Sequence, residues 1–262
     1  MRPSSPHRRT CISVRTNAPG AEVALKTSLN GYARTAAESL SNDPRGSGTN
    51  ERPELTVHAV IFDIDGTLLH SAAVDDALYR EAVRVVLGEV RLRPSLHEYD
   101  YITDTGVLSQ ILADNEISST RDYEREVRKC FVEFLRGHVE SNGPFVEIPG
   151  ARDILKSLRE SASHAVAIAT GGWRESAELK LQSAGLDYSD FPLASANDHH
   201  ERTGIMNVAL SQLSGSFESV TYYGDGPWDR RACDELGWKF VPVGPALGGI
   251  ESYIGHRLLE LE

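Results

Sequence analysis

His58-Ala59-Val60-Ile61-Phe62-Asp63-Ile64-Asp65-Gly66-Thr67-Leu68 is a short apolar run that ends abruptly on two aspartates and a glycine turn. A strand covered on both faces loses the alternation of a half-exposed one, so the run predicts a buried parallel strand. Open α/β sheets bind ligands at the carboxyl ends of such strands. Asp63 and Asp65 stand two residues apart, so extended backbone points both carboxylates to one side. One carboxylate can then act as a nucleophile while the other moves a proton. Two carboxylates together also suit magnesium, which prefers oxygen ligands and takes few from protein.

Downstream, the composition is helical for about eighty residues. Asp75 to Leu87 places Leu78, Ala82, Val83, Val85 and Val86 on an apolar face, with acids at its start and Gly88 past its end. Thr103-Asp104-Thr105-Gly106 reads as the cap of a second helix through Leu112 and Ala113. A third helix is expected from Asp122 to Leu135, with Val127, Phe131, Phe134 and Leu135 inside. No strand interrupts the block, which reads as an all-helical insert.

Strands and helices then alternate. Ile148-Pro149-Gly150 introduces a helix to Glu160, and Ala165–Ala169 is a buried strand ending on Thr170-Gly171-Gly172. A helix from Arg174 to Ala184 stops at Gly185. Strand Pro192–Ala196, helix Thr203–Leu213 and strand Val220–Tyr223 follow, the last ending on Gly224-Asp225-Gly226-Pro227-Trp228-Asp229. A helix opened by Pro227 runs to Leu236, and Lys239–Val243 is the fifth strand. Strands joined by single helices imply right-handed crossovers and a parallel sheet.

Composition bounds the partners. Lys+Arg 27 against Asp+Glu 38 gives a net charge of −11, which argues against a nucleic-acid partner. Residues 1–50 carry +4, leaving −15 for the remainder. Cys11, Cys130 and Cys233 are odd in number and widely spaced, which suits a reducing compartment rather than a disulfide framework or zinc site. No apolar run approaches the length of a membrane span. A soluble cytoplasmic protein, monomer or homodimer, is expected. Residues 1–54 are rich in Ser, Thr, Asn, Gly, Pro and Arg, with no acid before Glu22. They read as a disordered extension or as an organelle-import segment, and Pro3, Pro6, Pro19 and Gly20 interrupt any targeting helix. Order is expected from near Leu55.

Three strand ends thus carry reactive residues: Asp63 to Thr67, Thr170-Gly171-Gly172, and Asp225 with Asp229. Arg202 opens a helix between the last two. In order and approximate spacing these residues resemble the four motifs of the haloacid dehalogenase superfamily, over roughly residues 55–245. The likeness is greatest to the branch typified by phosphoglycolate phosphatase. It implies a Rossmann-like α/β core of 55–70 and 148–262, with 71–147 as a helical cap inserted after the first strand.

The resemblance also implies roles. Asp63 would attack a phosphate monoester to form an aspartyl phosphate, and Asp65 would serve as acid and then base. Magnesium would be held by Asp63, the Asp65 backbone carbonyl and Asp225, with Asp229 as a weaker ligand. Gly66, Thr67, the Thr170 hydroxyl and the Gly171 amide would hold phosphate oxygens, and Arg202 would neutralise the transferring group. Arg202 departs from the family's usual lysine. Lys180, the nearby lysine, sits among Glu178, Leu179 and Gln182 and reads as part of a solvated helix face. Asp229 reads equally as a first-turn helix acid. Adjacent His199 and His200 are expected to point apart, Trp173 and Trp228 to pack, and His70 to mark the cap hinge. A small phosphorylated metabolite is the expected substrate, with Thr103, Asp104 and Thr105 as candidates for the pocket wall. A phosphomutase of the same fold and a non-catalytic phosphate-binding protein are the rival readings.

Overall fold

The computed structural model describes residues 57–118 and 121–256. The chain divides into two units, 1–54 and 55–262. The first, and with it the choice between disordered extension and import segment, lies outside the described residues.

Five strands form one parallel sheet: β1 (His58–Phe62), β2 (His164–Ala169), β3 (Leu193–Ala194), β4 (Ser219–Gly224) and β5 (Lys239–Pro242). Their spatial order is β3-β2-β1-β4-β5. The chain therefore builds outward from β1 to one edge, then returns to β1 and builds to the other. β1 lies at the centre, where Phe62 pairs in register with Ile168 of β2 and Tyr223 of β4. That reversal is the switch point at which an open α/β sheet leaves a crevice beyond its carboxyl ends.

Alternate residues of β1 feed two cores. Val60 and Phe62 face one layer, while Ile61 faces the other with Ala167, Ala169 and Tyr222. The second layer is closed by helices α6 (Arg202–Ser211) and α7 (Pro227–Leu236), through Ile205, Met206, Ala209, Ala232 and Cys233. The first takes α4 (Ala151–Arg159) and α5 (Arg174–Ala184). Three further helices, α1 (Ala72–Leu87), α2 (Asp104–Asp114) and α3 (Arg121–Asn142), fill the segment between β1 and α4. Their apolar faces join the same core, with Tyr79, Phe131 and Trp173 stacked edge to face or tilted.

The expected elements are present, with shifted ends. α1 begins at Ala72 rather than Asp75, and Val85 on its expected apolar face is 44% exposed. α3 runs through the exposed Gly137 because Val139 still packs on the core, and Gly143 at φ +88 supplies the stop. α4 starts after the left-handed Gly150, as expected, and ends at Arg159, one residue before Glu160. β3 is only two residues long: Pro192 lacks a ladder donor, and the Asp198 carboxylate captures the Ser195 amide and hydroxyl in a turn. α7 matches its expected bounds, with Pro227 at its first turn and left-handed Gly237 at its end. Among the described residues, no helix is long and apolar enough to cross a membrane.

Ile61 has 0% exposure in the central strand. Ile61→Ala is expected to lower unfolding free energy by about 3 kcal/mol, measured by urea denaturation, because the cavity it leaves is walled by paired strands that cannot collapse.

Candidate active site

The central strand does not end cleanly at Phe62. The Asp63 amide donates to the Tyr223 carbonyl (3.0 Å), which holds its backbone in the ladder while the side chain enters the crevice. The chain then turns on the Ile64 carbonyl, which accepts from the amides of Thr67, Leu68 and Leu69. Gly66 sits at φ +81, and a Cβ there would lie 2.0 Å from Asp225 Oδ2. Both the backbone conformation and the approach of Asp225 therefore require glycine.

Asp63, Asp225 and Asp229 come together. Each offers an oxygen, and the three oxygens lie within 4.8 Å of one another. Asp63 and Asp229 are buried and Asp225 is half-buried. Asp229 Oδ2 accepts the Gly226 amide at the start of α7, as a first-turn helix acid does, while Oδ1 lies beside Arg202. Arg202, the first residue of α6, reaches across the strand ends. Its Nη1 donates to Asp63 Oδ1 and its Nε lies beside Asp229 Oδ1, each at 3.3 Å.

One guanidinium does not neutralise three carboxylates. Burial raises the Asp63 pKa well above the usual carboxylate range, with Asp229, Asp225 and Asp65 adding to the rise and Arg202 opposing it. Asp225 is pushed up to about 7, again first by burial and then by Asp229. Asp229 Oδ1 and Arg202 Nε are buried without a hydrogen-bond partner among the described residues. An all-oxygen donor set with an orphaned buried carboxylate oxygen fits a hard divalent cation.

Asp65 is placed differently. Lys180 Nζ donates to both its oxygens (2.7 and 2.6 Å), and Ser71 Oγ donates to Oδ1 (2.5 Å). Its carboxylate is thus turned from the Asp63–Asp225–Asp229 cluster. Lys180 also donates to Asp75 Oδ1 on α1 at 2.5 Å and has 0% exposure, so the expectation of a solvated face is wrong. The reason lies in helix geometry: Ser176, Ala177, Lys180 and Leu181 share the buried stripe of α5. Burial pulls the Lys180 pKa down, but Asp65 and Asp75 outweigh it and hold the ammonium protonated.

A cavity of about 140 Å³ opens over these groups. Its core side is lined by Asp63, Asp65, Thr170, Gly171, Arg202 and Asp225. The opposite side comes from residues 72–107, including Asp75, Asp76, Tyr79 and Asp104. Gly66, Thr67 and Asp229 do not line it: Thr67 Oγ1 is buried without a hydrogen-bond partner among the described residues, and its carbonyl accepts the Tyr253 hydroxyl. Thr170 is buried, and its Oγ1 accepts the Gly172 amide (3.2 Å).

The start of α2 is fastened to the loops beyond the sheet. The Thr103 hydroxyl donates to the His200 carbonyl (2.7 Å) and the Asp104 amide to the Gly171 carbonyl (2.8 Å). Asp104 Oδ2 accepts the Trp173 amide, and Trp173 Nε1 donates to Thr105 Oγ1. Trp173 therefore packs, fully buried, whereas Trp228 lines the cavity. The His199 and His200 rings do not point apart but stack at 4.8 Å, with His199 Nδ1 accepting the Glu201 amide. His70 is exposed, and its amide donates to the Val146 carbonyl.

Known proteins share this fold. The family described as haloacid dehalogenase-like hydrolase matches residues 57–237. Among solved structures, the chain is similar to a hydrolase from Pseudomonas syringae, with 19% identity, a TM-score of 0.53, and coverage of 71% of this chain and 83% of that one. CbbY from Rhodobacter sphaeroides, solved in complex with phosphate, is 18% identical at a TM-score of 0.55, covering 75% and 88%. A phosphoglycolate phosphatase, so predicted, from Haemophilus somnus 129pt is 15% identical at 0.50, covering 71% and 84%. At these identities the structural likeness concerns the fold. No curated protein matches the chain. With the family's region spanning β1 to β4, the helical segment and the strand ends that carry Asp63, Thr170 and Asp225, the chain belongs to the haloacid dehalogenase-like hydrolases.

Proposed function

We propose that the protein is a magnesium-dependent phosphatase that hydrolyses a small phosphorylated metabolite through an aspartyl phosphate on Asp63. The observation that carries this reading is a buried carboxylate at the end of the central strand, facing a cavity and flanked by Arg202, Asp225 and Asp229. The phosphate-bound CbbY structure, of the same fold, supports it.

An Asp63 oxygen attacks phosphorus as the ester P–O bond breaks, and Asp65 delivers a proton to the departing alkoxide. Water then attacks the aspartyl phosphate while Asp65 takes its proton, which restores both residues. Arg202 and the Thr170–Gly171 loop stabilise the non-bridging oxygens. Asp63, Asp225 and Asp229, with the Asp65 carbonyl, would hold magnesium, which offsets repulsion between Asp63 and the anionic phosphate. Helices α1–α3 would act as a cap over the core, and the protein would work in the cytoplasm as a monomer or homodimer.

The direct test is phosphate release from p-nitrophenyl phosphate and a panel of metabolite phosphates. Wild-type release is expected to need magnesium and to stop on chelation. Asp63→Asn should lose at least about a thousandfold in kcat, as removal of a covalent nucleophile does. An isomerised sugar phosphate without free phosphate would favour a mutase instead.

The cavity wall from residues 72–107 carries Asp75, Asp76 and Asp104 and no cation. A second anion on the leaving group would meet these acids and no uncommitted cation on that wall, since Lys180 and Arg80 are already paired with Asp75 and Asp76. Glycerol phosphate and O-phosphoethanolamine are therefore expected to exceed phosphoglycolate by about tenfold or more in kcat/KM, a ratio set by one or two kcal/mol of like-charge repulsion.

Asp225 gives a pH signature of metal binding. Its folded pKa of about 7 lies above the ordinary carboxylate value of 3.8, so the fold is favoured while this group is protonated. That contribution is complete below about 4 and is lost as pH rises through about 7. Thermal unfolding should therefore show a larger magnesium-induced rise in Tm at pH 8 than at pH 5.

A further inference from the structure

We propose that Lys180 is a positioning residue for Asp65, setting the orientation of the carboxylate that protonates the leaving group. The inference rests on the phosphatase reading above. Lys180 has three N–H donors and three oxygens within 2.7 Å: both of Asp65 and one of Asp75. Its donors are fully committed, it has 0% exposure, and it does not line the cavity. It can act on substrate only through a neighbour, and the neighbour that takes two of its three bonds is Asp65.

The geometry also says what Asp65 is tied to. Its other partner, Ser71, immediately precedes α1, and Asp75 lies in the first turn of that helix. Lys180 itself stands on α5, beside the sheet. One ammonium thus links the proton-moving carboxylate to the helical segment that walls the cavity and to the core beneath it. In the arrangement seen, Lys180 and Ser71 occupy Asp65 Oδ1 and Lys180 occupies Oδ2. Asp65 reaches a leaving oxygen by exchanging part of this set, and Lys180 fixes the position from which it swings.

Leaving-group dependence separates the two roles. An alkoxide must be protonated as the P–O bond breaks, whereas p-nitrophenolate departs without a proton. The quantity read is the ratio of kcat/KM for glycerol 2-phosphate to that for p-nitrophenyl phosphate, in wild type, Lys180→Met, Asp75→Asn and Asp65→Asn. The ratio is expected to fall about thirtyfold or more in Lys180→Met, and further in Asp65→Asn, within the range of general-acid contributions. Asp75→Asn keeps the shape of the cluster while removing the charge that anchors Nζ. It should lower the ratio about fivefold, and it decides the matter if loss of the buried cation prevents folding. A ratio within threefold of wild type in every Lys180 and Asp75 variant that folds, whatever the absolute rates, would overturn the inference alone. Failure of the wild type to release phosphate from either ester would overturn the phosphatase reading and this inference with it.

Discussion

A buried carboxylate at the end of a buried strand is an expensive thing to keep, and the rest of the site is arranged around Asp63. Moving an isolated carboxylate out of water costs several kcal/mol even after relaxation. Arg202 meets part of that cost from the first turn of α6. The same guanidinium has to serve Asp229, which is fully buried behind it. Charge at the strand ends therefore remains unbalanced, and the raised pKa values of Asp63 and Asp225 express that imbalance. A divalent cation beside Asp63, Asp225 and Asp229 would offset that imbalance.

Much of this was legible in sequence because parallel sheets write themselves plainly. A strand buried on both faces must be an apolar run, so β1, β2 and β4 stood out from Ala59, Val166 and Tyr222 alone. Polar residues just after such runs have only the crevice to occupy. The same logic pointed to Asp63, Thr170 and Asp225, which line one cavity; Arg202, which opens a helix, was singled out by its place between two of these strand ends and lines the same cavity. It misjudged the lengths of α3 and β3, where a distant packing partner and a side-chain turn outvoted local propensity.

Lys180 was missed for a different reason. Charge suggests solvent, and Lys is almost never fully buried unless paired. Its partners, Asp65 and Asp75, lie more than a hundred residues away in sequence. The available signal was its place on the stripe of Ser176, Ala177 and Leu181, which outranks the polarity of Glu178 and Gln182 on the other face. A charged residue on the apolar stripe of a helix beside an acid-rich strand end is better read as a paired one.

The two cations are not interchangeable, and their chemistry explains the division between them. Arg202 spans two carboxylates on different elements, which needs a wide planar fork and a charge that persists when buried. Lys180 instead concentrates three donors on one atom, matched by three oxygens of Asp65 and Asp75. A guanidinium there would bring five donors to those three acceptors and leave buried N–H groups unsatisfied. The fork stands where carboxylates on two different elements must be spanned, and the point charge where three oxygens of Asp65 and Asp75 converge. The site thus assigns its cations by geometry: one to Asp63 and Asp229, the other to Asp65 and Asp75.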